Sequence, residues 1–281
     1  MRLGPLLMLA AALAFTLMVS AVKVARAEMS TLEVVCWRGL ISVPLCAMLV
    51  PKGRWGIQNR GWMGARVSFG FLAMYCYFTA AKGLAIADLT LIGRLQPVFL
   101  AAVAPLLLGD AERSDRRIWL VSIVGIAGCA LLLGPSLALG NRAGLWALGA
   151  VVTAGLAHLC LRRLGATEDS RTVVFWFQLF VSALAAAILV VQQGALPALP
   201  SLALLPWILA VGLGATLGQN LMSRAYQLDR AAPVAAASHA APLFAVVVDI
   251  VAFGTPPGAE VLLGGGLLLA AALALVLMEE R

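Results

Sequence analysis

The sequence predicts an all-α integral membrane protein, ten transmembrane helices built as two inverted five-helix repeats with both termini cytoplasmic. Three observations predict it: a composition that only lipid can solvate, a regular succession of apolar stretches of spanning length, and helix motifs that recur in the second half. Residues 1–137 are expected to form the first repeat and residues 138–281 the second, inverted one, within a single membrane domain.

Solvent comes first. Hydrophobic residues make up 62% of the 281, charged residues only 12%, and the mean hydropathy is +0.98. A soluble domain carries about 25% charged residues, so this chain cannot cover a water-facing surface and membrane lipid is its expected surroundings. At about 20 residues per span the length admits ten spans and no separate soluble domain. The net charge of +7 is spread over short loops rather than gathered in one patch, which sets membrane orientation and points to no nucleic-acid partner. Cys36, Cys46, Cys76, Cys129 and Cys160 all lie in apolar stretches without a Cys-x-x-Cys pair, so neither a disulfide framework nor a metal site is indicated. The N-terminal run ends in Ala25-Arg26-Ala27, which mimics a signal-peptide cleavage site. Its length and the intervening Lys23 and Arg26 instead predict an uncleaved first helix.

The ten predicted spans are, in order, Pro5–Val24, Thr31–Val50, Gly61–Ala81, Ile86–Leu108, Ile118–Gly134, Gly144–Leu161, Thr172–Val191, Leu202–Gln227, Ala231–Phe253 and Gly258–Met278. The clearest breaks between them are Pro51–Arg60, Gly109–Arg117, Arg162–Arg171 and Gln192–Pro200. Lys and Arg near span ends fix the orientation. Arg2, Lys52, Arg54, Arg60, Arg113, Arg116, Arg117, Arg162, Arg163, Arg171, Arg224, Arg230 and Arg281 fall on one face; Lys23, Arg26, Lys82 and Arg142 fall on the other. That asymmetry makes both termini cytoplasmic and requires an even number of spans.

The doubling shows in two registers. Val34-Val35-Cys36-Trp37 in span two recurs as Val173-Val174-Phe175-Trp176 in span seven, 139 residues on, with Leu40/Leu179 and Ala47/Ala186 in step. Pro97-Val98-Phe99 in span four recurs as Pro242-Leu243-Phe244 in span nine, 145 residues on, with Ala80/Ala225, Ala87/Ala232 and Gly109/Gly254 in step. Five helices per repeat put the start of span six on the side opposite span one, so the halves are inverted. Inverted halves suit alternating access, because exchanging their conformations opens a central site to the other side.

Ten helices, an Arg in span two and a proline within spans four and nine resemble the drug/metabolite transporter superfamily, EamA type. The stretch Phe78–Phe99, with Ala80, Ala81, Ala87 and Gln96-Pro97, is similar to that family's pattern through spans three and four, and Gly125 and Gly128 fit its span five. Within it the chain resembles bacterial YddG-type exporters of aromatic amino acids. The resemblance implies a multi-pass protein of the bacterial inner (plasma) membrane, functional as a monomer, that moves a small-molecule substrate, an amino acid or organic anion, with no cofactor.

Polar residues in hydrocarbon are costly and therefore informative. At 1.5 Å per residue, Arg38 and Arg94 lie roughly 10 and 12 Å below the outer ends of spans two and four, and His239 roughly 12 Å from the inner end of span nine. Under the proline register Arg94 and His239 are equivalent positions. These three are expected to line a central cavity, the alternative being interhelical bonds to carbonyls or to hydroxyls such as Ser42 or Thr90. Lys23, Arg66 and Arg162, nearer to span ends, are expected to extend to the headgroups. His158 is a candidate proton carrier or polar lining residue; Gln178, Gln219 and Asn220 either bind substrate or join helices. Phe71, Tyr75 and Phe78 share one face of span three, and with Phe99, Trp37 and Trp176 they are candidates for stacking on an aromatic substrate. Pro97 and Pro242 are expected to bend their spans and gate the site. Gly214, Gly218 and Gly264–Gly266 should allow close helix approach.

Acids are missing where they would matter: Glu33, Asp88, Asp249 and Glu260 all sit towards span ends. Buried cations without buried anions suit a substrate that brings its own carboxylate, which favours amino acids or organic anions over cationic drugs. A multidrug or other metabolite carrier of the same fold remains the alternative within transport. No phosphate-binding Gly-rich loop, His-Glu-x-x-His or nucleophile–base–acid set is present, so an enzyme is not expected. An intramembrane enzyme and a non-transporting scaffold are the alternatives from other classes.

Overall fold

The structure, a computed structural model, describes residues 3–26, 28–80, 91–133, 142–197, 199–244, 246–247 and 259–277. The predicted boundaries at Ala81, Ile86, Gly134, Phe253, Gly258 and Met278 lie outside the described residues, as do Arg2, Lys82, Ala87, Asp88, Thr90, Asp249, Gly254 and Arg281. In chain order the helices are α1 (Leu3–Ala25), α2 (Thr31–Leu49), α3 (Arg60–Ala80), α4 (Gln96–Leu108), α5 (Arg116–Leu133), α6 (Arg142–Leu164), α7 (Ser170–Gln193), α8 (Leu205–Leu228), α9 (Ala231–Ala237) and α10 (Ala259–Leu277), with 3-10 turns at Asp110–Glu112 and Ser238–Ala240. There is no strand among the described residues. Among the described residues, six segments are long and apolar enough to cross a membrane: Leu3–Val22, Leu32–Leu49, Leu91–Leu108, Arg142–Leu164, Ser170–Gln193 and Leu205–Leu228.

Local chemistry sets several boundaries. Ser30 caps α2 through a reciprocal pair: its hydroxyl accepts the Glu33 amide at 3.3 Å, and the Glu33 carboxylate accepts the Ser30 amide at 2.7 Å. Asp169 caps α7 by accepting the Arg171 amide at 3.0 Å, and Gly194 ends that helix at φ +72°, a left-handed conformation that suits glycine.

Polarity runs inside out. Leu17, Met48, Leu106, Val191 and Leu202 are exposed on the outer surface, while Ser42, Gln178, Ser223 and His239 are fully buried. Water would reject such a surface and lipid accepts it. The exchange of packing partners is orderly. α1 lies along α8 and α3 along α6, while α2 packs on α7, α4 on α9 and α5 on α10. Small residues permit the closest approaches. A methyl at Gly214 would meet the Met18 Cβ at 2.9 Å, and one at Gly218 would meet the Phe15 ring at 2.6 Å, so the Gly214/Gly218 face receives α1 directly.

The proline spans change their hydrogen-bond pattern just ahead of each proline while Leu95, Ala237, Ser238 and Ala241 keep right-handed helical conformations. Residues 91–93 are helical, Arg94 and Leu95 form a turn closed by bonds from their amides to Leu91 and Ile92 carbonyls, and α4 starts afresh at Gln96. Pro97 therefore occupies the first turn of a helix, where its missing N–H costs nothing. In the second half, α9 gives way to the Ser238–Ala240 turn just ahead of Pro242. The discontinuities thus fall on Arg94 and His239, not on the prolines themselves.

One end of the bundle is densely cross-linked. Glu112, 4% exposed, accepts Arg162 Nε at 2.6 Å with one oxygen and the Ala231 amide at the start of α9 at 2.8 Å with the other. Arg162 Nη1 also donates to the Gln227 carbonyl at 2.9 Å, so this side chain is held by protein rather than extending to headgroups. Buried Glu168 accepts the Gln58 and Asn59 amides, both at 2.8 Å, at the start of α3. Arg230 donates to the Arg113 carbonyl and Trp176 Nε1 to the Trp55 carbonyl. Asp169 pairs with Arg171, whose side-chain hydrogen bond is the main force holding the Asp169 carboxyl below its usual range.

Candidate functional site

The break before Pro97 leaves Arg94 at mid-depth beside an open space. A cavity of about 370 Å³ is lined by Ala73, Met74 and Tyr77 of α3, Gly93, Arg94 and Gln96 at the break, Ala150, Val151 and Ala154 of α6, and Ser238. That volume suits a small metabolite. Arg94 Nη1 donates to the Ser238 carbonyl at 2.6 Å and reaches its hydroxyl at 3.5 Å. This carbonyl also accepts the Ala241 amide in the 3-10 turn, and Pro242, four residues on, has no N–H to compete for its second lone pair. Arg94 Nε remains buried and unpaired.

A second polar cluster continues from this cavity. Gln96 Nε2 lies 2.7 Å from His158 Nδ1, and the His158 ring stacks on Tyr226 with centroids 4.5 Å apart. Tyr226 is completely buried, its hydroxyl without a partner. Arg66 sits in the same region, 3% exposed, its guanidinium carbon 3.9 Å from the centroid of the Phe177 ring. Its Nη2 makes a long 3.5 Å bond to Gln219 Oε1 and its Nε is unpaired. This corrects the expectation that Arg66 extends to the headgroups. A methyl added at Gly70 would lie 2.6 Å from Arg66 Nη1, so the side chain runs inward along α3, away from the nearby helix end.

Arg38 is tied differently, its Nη2 donating to Gln178 Oε1 at 2.8 Å across the α2–α7 contact. Ser42 bonds the Gly212 carbonyl instead. His239 is fully buried with both ring nitrogens unpaired, and a methyl on Gly125 would strike its ring at 2.6 Å. Among the described residues no carboxylate pairs with Arg38, Arg66 or Arg94.

The aromatic candidates disperse. Tyr75 is 53% exposed and meets Trp146 edge-on at 6.0 Å, outside the Arg94 cavity. Phe99 packs against Gly155. Trp176 stacks on Phe180 and lines a separate, mostly apolar groove of about 560 Å³ with Met63 and Val67 near the cross-linked end. The Phe78 side chain lies outside the described residues. Sequence reasoning passed over Arg66, Tyr226 and Phe177 as site residues and used Gln96 only as part of a motif. For Arg66 a signal existed: Gly70, one turn further on, opens a slot for its head. For Tyr226 no signal existed, since its burial depends on α6.

Comparison with known proteins agrees with this architecture. The family model described as EamA-like transporter family matches residues 2–134 and 141–277. The pseudopaline exporter CntI of Pseudomonas aeruginosa is 29% identical over 283 residues, covering 98% of this chain and 96% of that protein. An uncharacterized transporter of Helicobacter pylori is 26% identical over 238 residues, covering 79% of this chain and 77% of its own. A crystal structure covering 100% of this chain and 99% of its own superposes with a TM-score of 0.83 at 18% identity, a likeness of fold alone. The matches in both halves, the lipid-facing apolar surface and the polar interior lead to one conclusion: the chain is a multi-pass membrane protein of the EamA-like transporter family.

Proposed function

We propose that this transporter exports amino acids, aromatic ones first among them, and related small metabolites across the bacterial inner membrane by alternating access. The observation that carries the reading is the set of guanidiniums, those of Arg38, Arg66 and Arg94, that have no carboxylate partner among the described residues. A guanidinium at the centre of a membrane costs about 3 kcal/mol, and Arg94 offsets part of this with one carbonyl and a distant hydroxyl beside a cavity. A substrate carboxylate supplies the missing charge and hydrogen bonds. Similarity to a pseudopaline exporter supports the outward direction.

Two inverted five-helix halves, 1–137 and 138–281, with both termini cytoplasmic, fit the packing. Exchanging each helix of α1–α5 with its counterpart in α6–α10 turns the α1–α8 contact into the α6–α3 contact. The same exchange maps α2–α7, α4–α9 and α5–α10 onto themselves. Separate family matches to the two halves support the same division. The changes of helical pattern at Arg94 and Ser238–Ala240 support a hinging role for Pro97 and Pro242.

The test is uptake by purified protein in liposomes, offering phenylalanine, tryptophan, leucine, glutamate and a lipophilic cation in parallel, with and without a pH gradient. Saturable uptake of amino acids is the expected result. Uptake of the cation alone overturns the reading, and dependence on the gradient would identify a proton-linked cycle.

A further inference from the structure

Arg94 alone satisfies the reading above, and Arg66 is then surplus. Its position is not that of a structural side chain. The Cα of Arg66 is six residues into α3, about 9 Å from the end of the helix, close enough for the stem to reach headgroups. The stem instead turns inward, laying the head beside Gly70 and the Phe177 ring, about 15 Å below the start of α3 and so at the middle of a core about 30 Å thick. Gly70, Met74 and Tyr77 follow Arg66 on the same face of α3 at helical spacing, and the latter two line the Arg94 cavity. From the level of Gly70 to that of Met74 is one turn, roughly 6 Å.

The groups around Arg66 are neutral. Gln219 meets it at 3.5 Å, Phe177 offers a ring face, and Tyr226, which together with His158 lies within electrostatic reach, has a buried hydroxyl with no partner. Buried donors in this number call for an acceptor. A single carboxylate held by Arg94 would leave them unanswered.

We propose that Arg66 is a second anion-binding residue of the same transport site, and that between otherwise similar substrates the one with two acid groups is preferred. One acid group docks on Arg94 in the cavity and the other, about one helical turn deeper, on Arg66 and the Tyr226 hydroxyl. Gly70 is the slot that lets the Arg66 head lie along α3 towards the cavity. The inference rests on the proposed export of carboxylate-bearing metabolites and adds the number of charges.

The test compares acid–amide and acid–methyl pairs of matched size in liposomes: glutamate with glutamine, and 2-aminoadipate with norleucine. Wild-type protein is expected to take up the diacids with kcat/KM about tenfold or more above their monoacid partners, the scale of one charge-assisted hydrogen bond. Arg66→Gln should bring the ratio to about one by slowing the diacids more than the monoacids, with thermal melting retained, and Arg66→Lys should restore part of it. Monoacid transport without a diacid preference in wild-type protein overturns the inference and leaves the exporter reading standing. A preference that survives Arg66→Gln, or equal loss of both substrate classes with a lowered melting temperature, also overturns it. Absence of uptake of every acid overturns both readings.

Discussion

Arginines at the cross-linked end and arginines at mid-depth live under different rules. At the end, Arg162 meets a carboxylate: Glu112 holds it at 2.6 Å while also capping α9, and Glu168 caps α3 in the same layer. At mid-depth, Arg38 meets an amide, Arg94 a carbonyl and Arg66 an aromatic face. Carboxylate pairing neutralises charge permanently and makes a fixed latch. Neutral partners leave the charge in place, so an arriving anion still finds a positive field in a medium that barely screens it. The difference teaches where this molecule spends charge on shape and where it keeps charge for a ligand.

Breaking the latch should give the largest effect. Glu112→Ala leaves Arg162 with only the Gln227 carbonyl and the Ala231 amide at the start of α9 without its acceptor, and losing one member of this partly buried pair should cost about 3 kcal/mol at most, to be read as lost stability in detergent melting. Replacing Glu112 and Arg162 together by Gln and Leu should recover a good part of it. Arg94→Ala is next. It should lower the initial rate of transport about ten- to hundredfold, as expected for a hydrogen bond to a charged group, with melting close to wild type. A matching loss of folded protein would erase the distinction between the two regions. Gly70→Ala sharpens the comparison within the site: displacing the Arg66 head should reduce any diacid preference, by less than Arg66→Gln does, and leave the latch intact.

The smallest effect belongs to the rim. Asp169→Asn should cost about 1 kcal/mol or less, the scale of an N-cap and an exposed pair. The Asp169 carboxyl is held down first by the side-chain hydrogen bond from Arg171, so its folded-state pKa lies below the unfolded one. Its contribution is therefore complete above about pH 4, the ordinary carboxylate value, and fades as pH falls through the folded-state pKa. Melting curves of wild-type and variant protein should converge on acidification below pH 4.

Legibility followed the range of each interaction. Gly214 and Gly218, four apart, announced a face of close helix approach, and that face receives α1; the Ser30–Glu33 cap of α2 is just as local, three residues apart. The Arg94–Ser238 link was half visible, because the proline register brings Arg94 and His239 to equivalent positions. The acceptor, the Ser238 carbonyl, is a backbone group and has no signature in the side-chain pattern. Arg66 and Arg162 were misjudged together, since depth along a helix says nothing about the direction in which a long stem leaves it. Tyr75 was misplaced for the complementary reason: helical spacing groups aromatics on a face without saying whether that face meets lipid or cavity.

The sequence by itself determined the solvent, the helical class and the spanning character, because these follow from composition and local spacing. Tertiary structure decided which arginines are neutralised and which are left open. That choice depends on what another segment presents within about 3 Å: Glu112 to Arg162, Gln178 to Arg38, the Ser238 carbonyl to Arg94. Those partners lie 50, 140 and 144 residues away along the chain, and only packing brings them together.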